Sequence, residues 1–436
     1  MAHHSESRSR RTALTGMAAL AVAPLLTTVT PAAADSASST TSSVPSFAVP
    51  KAGRRLRVTG MEVFVVRVNH RGNWIFVRLL TDRGVHGLGE ASHGGGTDEE
   101  MERELDAFFA HVRGRSPFEI AAYRRSARSR ATRGKVQATA FAALEQAQWD
   151  IVGKALDAPV AELLASTGIS TGTGTGTGGS KLRTRLPVYA NINRATVDRT
   201  PAGFAANARA AVADGFGAIK AAVFDDFPAL TAPAEDLAAA KESGIARAEA
   251  IRAAIGPDIA LMIDAHTRFD VPLAVEVAGR FAPLDLEFYE EPVPPQNVAD
   301  TRRIRSSISQ KLAGGEALFG RDSFVPVVRE HALDIIMPDV KHCGGLLEAR
   351  QIAGLARHYG VQVSPHNPSG PVSTAISAHL CAGLPHLARL EYAWGEVPWR
   401  HELLAPQERF ESGELVVPEG PGFGVRLDDA VVAAHM

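Results

Sequence analysis

The feature that most limits how this chain folds is an alternation. From about residue 187 onward, eight short apolar runs are separated by segments of mostly helical periodicity. The runs are 187–190, 218–220, 259–263, 286–289, 311–313, 335–337, 361–363 and 387–390, with helical patterns such as 204–214 and 246–255 between them. Short, mostly apolar runs suit strands, and their alternation with helical patterns suggests a parallel barrel. The expected class is α/β, a TIM-like (β/α) barrel over 183–400. A doubly wound sheet is the alternative, but no glycine-rich phosphate fingerprint follows the first run.

The preceding region reads differently. Two β-rich runs, 56–68 and 74–81, are joined by Asn69-His70-Arg71-Gly72-Asn73, a turn by its glycine and asparagines. A third run at 85–90 and helical patterns at 98–113 and 136–153 follow; the second carries Ala143, Leu144, Ala147 and Ile151 on one face. This predicts an α+β domain over 54–182, bounded by a threonine–glycine repeat at 171–179 that has no side chain to anchor a core.

The amino terminus carries an address. Ser9-Arg10-Arg11-Thr12, an apolar run at 13–29 and Pro31-Ala32-Ala33-Ala34 read as a twin-arginine export signal over 1–34, with a serine- and threonine-rich linker at 35–53. The mature protein is then expected outside the cytoplasm, periplasmic or extracellular, with no membrane attachment. An uncleaved anchor is the alternative, though the run contains Pro24 and is short for a bilayer span. Net charge is −2 and no basic stripe interleaves with aromatics, so nucleic acid is not an expected partner. The two cysteines, Cys343 and Cys381, are too few for a disulfide framework, and their pairing stays open.

Chemistry concentrates at the ends of the apolar runs, where a parallel barrel places its functional residues. The third run ends Asp264-Ala265-His266, the fourth Glu290-Glu291-Pro292 and the fifth Gly314-Gly315-Glu316. Asp264, Glu290 and Glu316 are equally spaced, about one strand-plus-helix unit apart, so the three carboxylates should converge. Converging carboxylates repel one another unless a cation sits between them. Hard oxygen ligands with room for water and substrate suit magnesium, or manganese, better than zinc. Each carboxylate could instead cap the helix that follows it, although three in register favour the metal.

The sixth run ends at Asp339 and the seventh at Ser364-Pro365-His366. Adjacent strands let Asp339 accept a hydrogen bond from one His366 nitrogen and raise the basicity of the other, which makes a positioned general base. His266 lies on the same side of the chain as Asp264 and would face that base across the metal as an acid. Glu391, at the end of the last run, would hydrogen-bond a developing oxyanion if protonated, or through its neighbours. At the rim, Asn191 and Asn193 are candidates for substrate hydroxyls, with turn capping the alternative. Trp74 and His93 border the loops that would cover the site, with core packing and solvent exposure as their plainer readings. The long stretch 224–244, rich in proline, alanine and acids, reads as a lid or a solvated insertion.

From about Arg57 to its end the chain resembles the enolase superfamily, in its mandelate racemase and muconate lactonizing branch. The resemblance rests on the carboxylate triplet, the Asp339 and His366 pair, and Gly420-Pro421-Gly422-Phe423-Gly424-Val425, similar to the segment (401–436) where the chain returns to the cap. It implies an α+β capping domain, a magnesium-held carboxylate substrate and a homo-oligomer. The branch typically carries Lys-x-Lys at the end of strand two, whereas Lys220 is followed by Ala221 and Ala222. Asp264-x-His266 is instead similar to the galactonate dehydratase type of sugar-acid dehydratases. There the dyad removes the α-proton, the second histidine protonates the departing β-hydroxyl, and Lys220 would remain as a charge beside the metal. Three outcomes stay open: a lyase giving a 2-keto-3-deoxy acid, an epimerase, racemase or cycloisomerase using the same enolate, and an exported binding protein that keeps the fold without turnover.

Overall fold

The computed structural model describes residues 55–166 and 181–436. The expected export signal, the linker and the threonine–glycine repeat lie outside the described residues.

Three strands, β1 (Val58–Asn69), β2 (Gly72–Thr81) and β3 (His86–Glu90), form an antiparallel sheet in that order. The turn between β1 and β2 falls where asparagine and glycine predicted it, with Gly72 at φ 124°. Helices α1 (Asp98–Phe109), α2 (Ile120–Ala131), α3 (Lys135–Ala155) and α4 (Val160–Ser166) complete this domain. Thr97 and Glu100 form a reciprocal capping box that starts α1. Helix α2 was not foreseen: its buried Ile120, Tyr123, Ala127 and Ala131 are hidden among arginines and serines. Strand β3 lies directly on α3, and a Cβ at Gly89 would stand 2.0 Å from the Ala143 carbonyl oxygen. Only glycine permits that approach.

The second domain is an eight-stranded parallel barrel. Its strands are β4 (Arg185–Asn191), β5 (Ala218–Ala221), β6 (Ala260–Asp264), β7 (Leu286–Glu290), β8 (Leu312–Gly314), β9 (Ile335–Ile336), β10 (Gln362–Val363) and β11 (Leu390–Ala393). Each of β4 to β10 pairs with the next, β11 pairs with β4, and a parallel bridge between Val363 and Leu387 closes the ring. Tyr189, Met262, Phe288, Ile335 and Met337 fill the interior beneath the active face. Helices α5 (Pro201–Ala213), α6 (Ala234–Ile255), α7 (Val271–Phe281), α8 (Val298–Arg305), α9 (Arg321–Arg329), α10 (Leu346–His358) and α11 (Pro371–Ala382) surround it. The stretch 224–244 is therefore not one long lid: α6 already begins at Ala234, where a run of alanines follows Pro233.

Buried carboxylates fasten the first domain to the barrel. Glu90 accepts from Gly370 N and Ser373 N at 2.7 Å each, at the start of α11. Glu145 accepts from Leu346 N and Leu347 N at 2.8 and 3.1 Å, at the start of α10. Helix N-termini carry unpaired N–H groups and a partial positive charge, so each carboxylate docks where the barrel needs an acceptor. Arg124 of α2 adds pairs with Glu145 and Glu348. After β11 the chain returns to the first domain, where Phe423 N donates to Asp150 and Val160 N to Gly422 O.

Candidate active site

Parallel register brings the three strand-end carboxylates together, since Asp264 closes β6, Glu290 closes β7 and Glu316 lies two residues past β8. One oxygen from each lies within 4.8 Å of the others. Lys220 of β5 sits fully buried at the edge of the group, its Nζ 2.7 and 2.9 Å from the Glu290 oxygens, 3.4 Å from Asp264 and 3.2 Å from Glu391. Burial works against its charge, but Glu290 and Glu391 hold the ammonium well above its ordinary range. A lysine so held is a fixed cation and not a base.

One lysine leaves the carboxylates under-compensated. Glu290 is pushed well above the usual carboxylate range by burial and then by Asp264. Asp264 Oδ2 and Glu316 Oε2 are buried and accept no aligned hydrogen bond among the described residues. Buried carboxylate oxygens that converge, with no aligned hydrogen bond to satisfy them, fit a hard divalent cation.

Two imidazoles approach this triad from its two ends. His366, just past β10, has Nδ1 2.8 Å from Asp339 Oδ2 and Nε2 2.8 Å from Glu316 Oε2. His266 places Nε2 2.9 Å from Asp264 Oδ2, and its Nδ1 is in short contact with Asp225 Oδ1. Burial disfavours charge on both rings, but the carboxylates overcome it: Glu316 and Glu391 chiefly raise His366 to about 10, and Asp264 with Asp225 raises His266 well above its ordinary value.

Glu391 is fully buried and accepts from Asn191 Nδ2 at 2.6 Å and Asn367 N at 2.8 Å. Several rim expectations need correction. Asn191 spends its oxygen on Asn193 N at 2.8 Å as well, so it braces Glu391 and its own turn instead of offering itself to a substrate hydroxyl. Asn193 is likewise committed, donating to Asp225 at 3.0 Å and accepting from Arg199 at 2.6 Å. Trp74 does not line the mouth of the site: it is fully buried, edge-on to Trp399 at 5.8 Å and beneath the Arg400 guanidinium. His93 reaches barrel Arg194, whose guanidinium also donates to the Arg71 carbonyl.

Sequence reasoning passed over three residues here. Lys341 is fully buried and pairs with both Asp339 oxygens at 2.9 and 2.7 Å, and His342 hydrogen-bonds Thr139 at 2.9 Å. Burial, helped by Lys135 and Lys341, pushes His342 well below its ordinary value although Asp339 opposes it. Together these cationic and imidazole neighbours outweigh burial and hold Asp339 well below the usual carboxylate range. Asp225, in the loop after β5, is the third. The adjacent pair Asp225-Asp226 was a visible signal, but neither residue sits at a strand end.

Comparison with known proteins places this geometry. Residues 59–165 match the mandelate racemase/muconate lactonizing enzyme N-terminal domain, and residues 203–431 match the enolase C-terminal domain-like family. A D-xylonate dehydratase of Haloferax volcanii is 30% identical over 89% of this chain and 91% of that protein. A D-galactonate dehydratase of Variovorax paradoxus is 29% identical over 82% of this chain and 89% of that protein. A D-gluconate dehydratase of Thermoproteus tenax is 35% identical over 74% of this chain, a match that spans 62% of that protein. The solved structure of a mandelate racemase/muconate lactonizing enzyme from Jannaschia sp. CCS1 superposes with a TM-score of 0.74 at 30% identity, covering 87% of this chain and 97% of that one. The chain belongs to the mandelate racemase and muconate lactonizing enzyme family of the enolase superfamily.

Proposed function

We propose, with membership of this family as the premise, that the chain is an acid-sugar dehydratase, converting an aldonic or aldaric acid to a 2-keto-3-deoxy acid. The observation that carries the reading is the pair of imidazoles, each with Nδ1 on a carboxylate outside the triad and Nε2 turned toward the triad. The named activities of the xylonate, galactonate and gluconate relatives support it.

Asp264, Glu290 and Glu316 would hold Mg2+ or Mn2+, as their unsatisfied oxygens suit. Bound there, the ion supplies positive charge to the substrate carboxylate as negative charge builds on it, a stabilisation of roughly several kcal/mol. With a divalent cation on Glu316 in place of the proton that the bare carboxylates hold on the ring, His366 Nε2 would take the α-proton, and Asp339 on its Nδ1 would steady the imidazolium that results. Lys220 keeps its charge beside the carboxylate end of the substrate. His266 Nε2 gives a proton to the β-hydroxyl, so the C–O bond breaks as the α–β double bond forms and water leaves. Hydroxide is a poor leaving group, which is why an acid is needed. The resulting enol tautomerises to the 2-keto acid. The amino-terminal Ser9-Arg10-Arg11-Thr12 supports export by the twin-arginine route as part of this proposal.

The test is incubation of the purified protein with Mg2+ and a panel of aldonic and aldaric acids in deuterated water. A 2-keto-3-deoxy product from one group of stereoisomers is the expected result. Deuterium entering recovered substrate with no keto product would reassign the chain to epimerisation, and neither signal would remove the enzymatic reading.

A further inference from the structure

We propose that Asp225 is the positioning carboxylate of the acid histidine, forming a second dyad with His266 that the cap domain completes; this rests on the dehydratase reading above. Three observations carry it.

First, the two imidazoles are held in the same manner. Each ring has Nε2 within 2.9 Å of a triad carboxylate and Nδ1 on an outside carboxylate, Asp339 for His366 and Asp225 for His266. A carboxylate on Nδ1 fixes that proton in place, so the exchanging proton is carried on Nε2, the atom that faces the triad.

Second, the backbone does not aim the His266 ring by itself. His266 and Thr267 have φ of 44° and 58°, left-handed conformations that turn the chain away from the direction of β6. Such conformations persist where the surroundings over-determine them. His266 N donates to Asp264 Oδ1 at 2.8 Å, which anchors the main chain; the ring itself is aimed by its two side-chain partners, Asp225 on Nδ1 and Asp264 on Nε2.

Third, Asp225 is itself pinned, and from both domains. Its Oδ2 accepts from barrel Asn193 Nδ2 at 3.0 Å and from Arg71 of the β1–β2 turn at 3.0 Å, with Arg199 at 3.5 Å. Arg194 holds that turn in place by donating to the Arg71 carbonyl at 3.0 Å and to His93 at 2.9 Å. Asp225 therefore has no freedom to follow a wandering ring, and the cap supplies part of the constraint. By contrast, Asp339 is clamped directly by Lys341 of its own loop after β9, and the cap meets that loop beside the carboxylate, through Thr139 on His342, Gln146 on the Val340 carbonyl and Arg124 on the Gly344 carbonyl. Asp225 lies outside the triad and acts through His266, so its role is positioning.

The leaving group provides the test. Fluoride departs with little help from an acid, whereas hydroxide requires one. The Asp225→Asn variant, in holoenzyme with Mg2+, is compared with wild type on the accepted acid and on its 3-deoxy-3-fluoro analogue, with α-proton exchange followed in deuterated water. The expected result is a kcat for loss of water lower by roughly 10- to 100-fold. KM and α-proton exchange should change little, and fluoride loss should stay within about twofold of wild type. Arg71→Met, which leaves the buried hub intact, should lower water loss by about threefold and fluoride loss not at all. Equal losses with both leaving groups in both variants would make the role merely structural and overturn the proposal, as would undiminished water loss in Asp225→Asn. Should His266→Asn expel water at the wild-type rate, the underlying dehydratase assignment of the acid fails first, and the proposal with it.

Discussion

The two ends of the carboxylate triad carry the same side chains but are built differently. At one end His366 is almost fully buried and pairs with Asp339, which Lys341 of the same loop as Asp339 clamps. At the other end the His266 side chain is 31% exposed, stands on left-handed backbone and pairs with a loop aspartate tied to the cap. The difference matches the chemistry each end would perform. A base that takes a proton from carbon needs a fixed, dry environment, whereas an acid that expels water must lie where water can leave. It also divides dependence on the β1–β2 turn: the acid end is tied to Arg71 of that turn, whereas the base-end loop meets the cap elsewhere, through Gln146, Thr139 and Arg124.

The strongest disruption removes what both ends share. Chelation of the divalent ion, or Glu290→Ala, should abolish keto-acid formation and α-proton exchange together, by at least about 10⁴-fold, since several kcal/mol of stabilisation is lost at roughly tenfold per 1.4 kcal/mol. Metal content and both rates, measured on one preparation, check this. Activity surviving a verified loss of metal would dissolve the shared centre.

Next in size is His366→Asn, which should lower exchange and elimination alike by roughly 10³-fold. If exchange persisted while elimination fell, the two ends would have to be interchanged.

Arg194→Met sharpens the comparison from the cap side. Arg194 grips the β1–β2 turn through the Arg71 carbonyl and His93, so elimination should fall about threefold to tenfold while exchange holds, because only the acid end depends on that turn. The ratio of the two rates is the quantity to follow.

The smallest effect on catalysis is expected far from the acid end. Arg124→Met leaves Glu145 without its cationic partner and Glu348 with only the more distant Arg128, in the buried seam between the domains, and should destabilise the fold by about 3 kcal/mol, read from denaturant unfolding. Exchange and elimination should then change equally, since neither histidine is touched. An unequal change would mean that cap docking reaches the acid end by some path other than Arg71.

What sequence made legible follows the physics of local pattern. The eight largely apolar runs fall on or beside the eight barrel strands because burial on both faces leaves short, mostly apolar segments. The equal spacing of Asp264, Glu290 and Glu316 pointed to convergence because parallel strands repeat their register. The resemblance supplied the family, which the matched domains show. What stayed hidden depends on contacts between distant segments. Asp225 meets His266 across 41 residues of chain and Arg71 across 154, and no local pattern encodes either meeting. Trp74 misled for the same reason: an aromatic beside a turn can face a mouth or a core, and the packing of Trp399 and Arg400 decides. The start of α6 was missed because an acid- and alanine-rich segment after proline reads equally as a solvated loop.

The most direct test of the divided labour is the His266→Asn variant, incubated with Mg2+ and the accepted acid in deuterated water. The account predicts that deuterium enters the α-position at close to the wild-type exchange rate while keto-acid formation falls by roughly 10²- to 10³-fold, because the base end is intact and the acid is gone. Loss of both signals together would contradict it, placing His266 in proton abstraction or in the integrity of the whole site instead of in the departure of water.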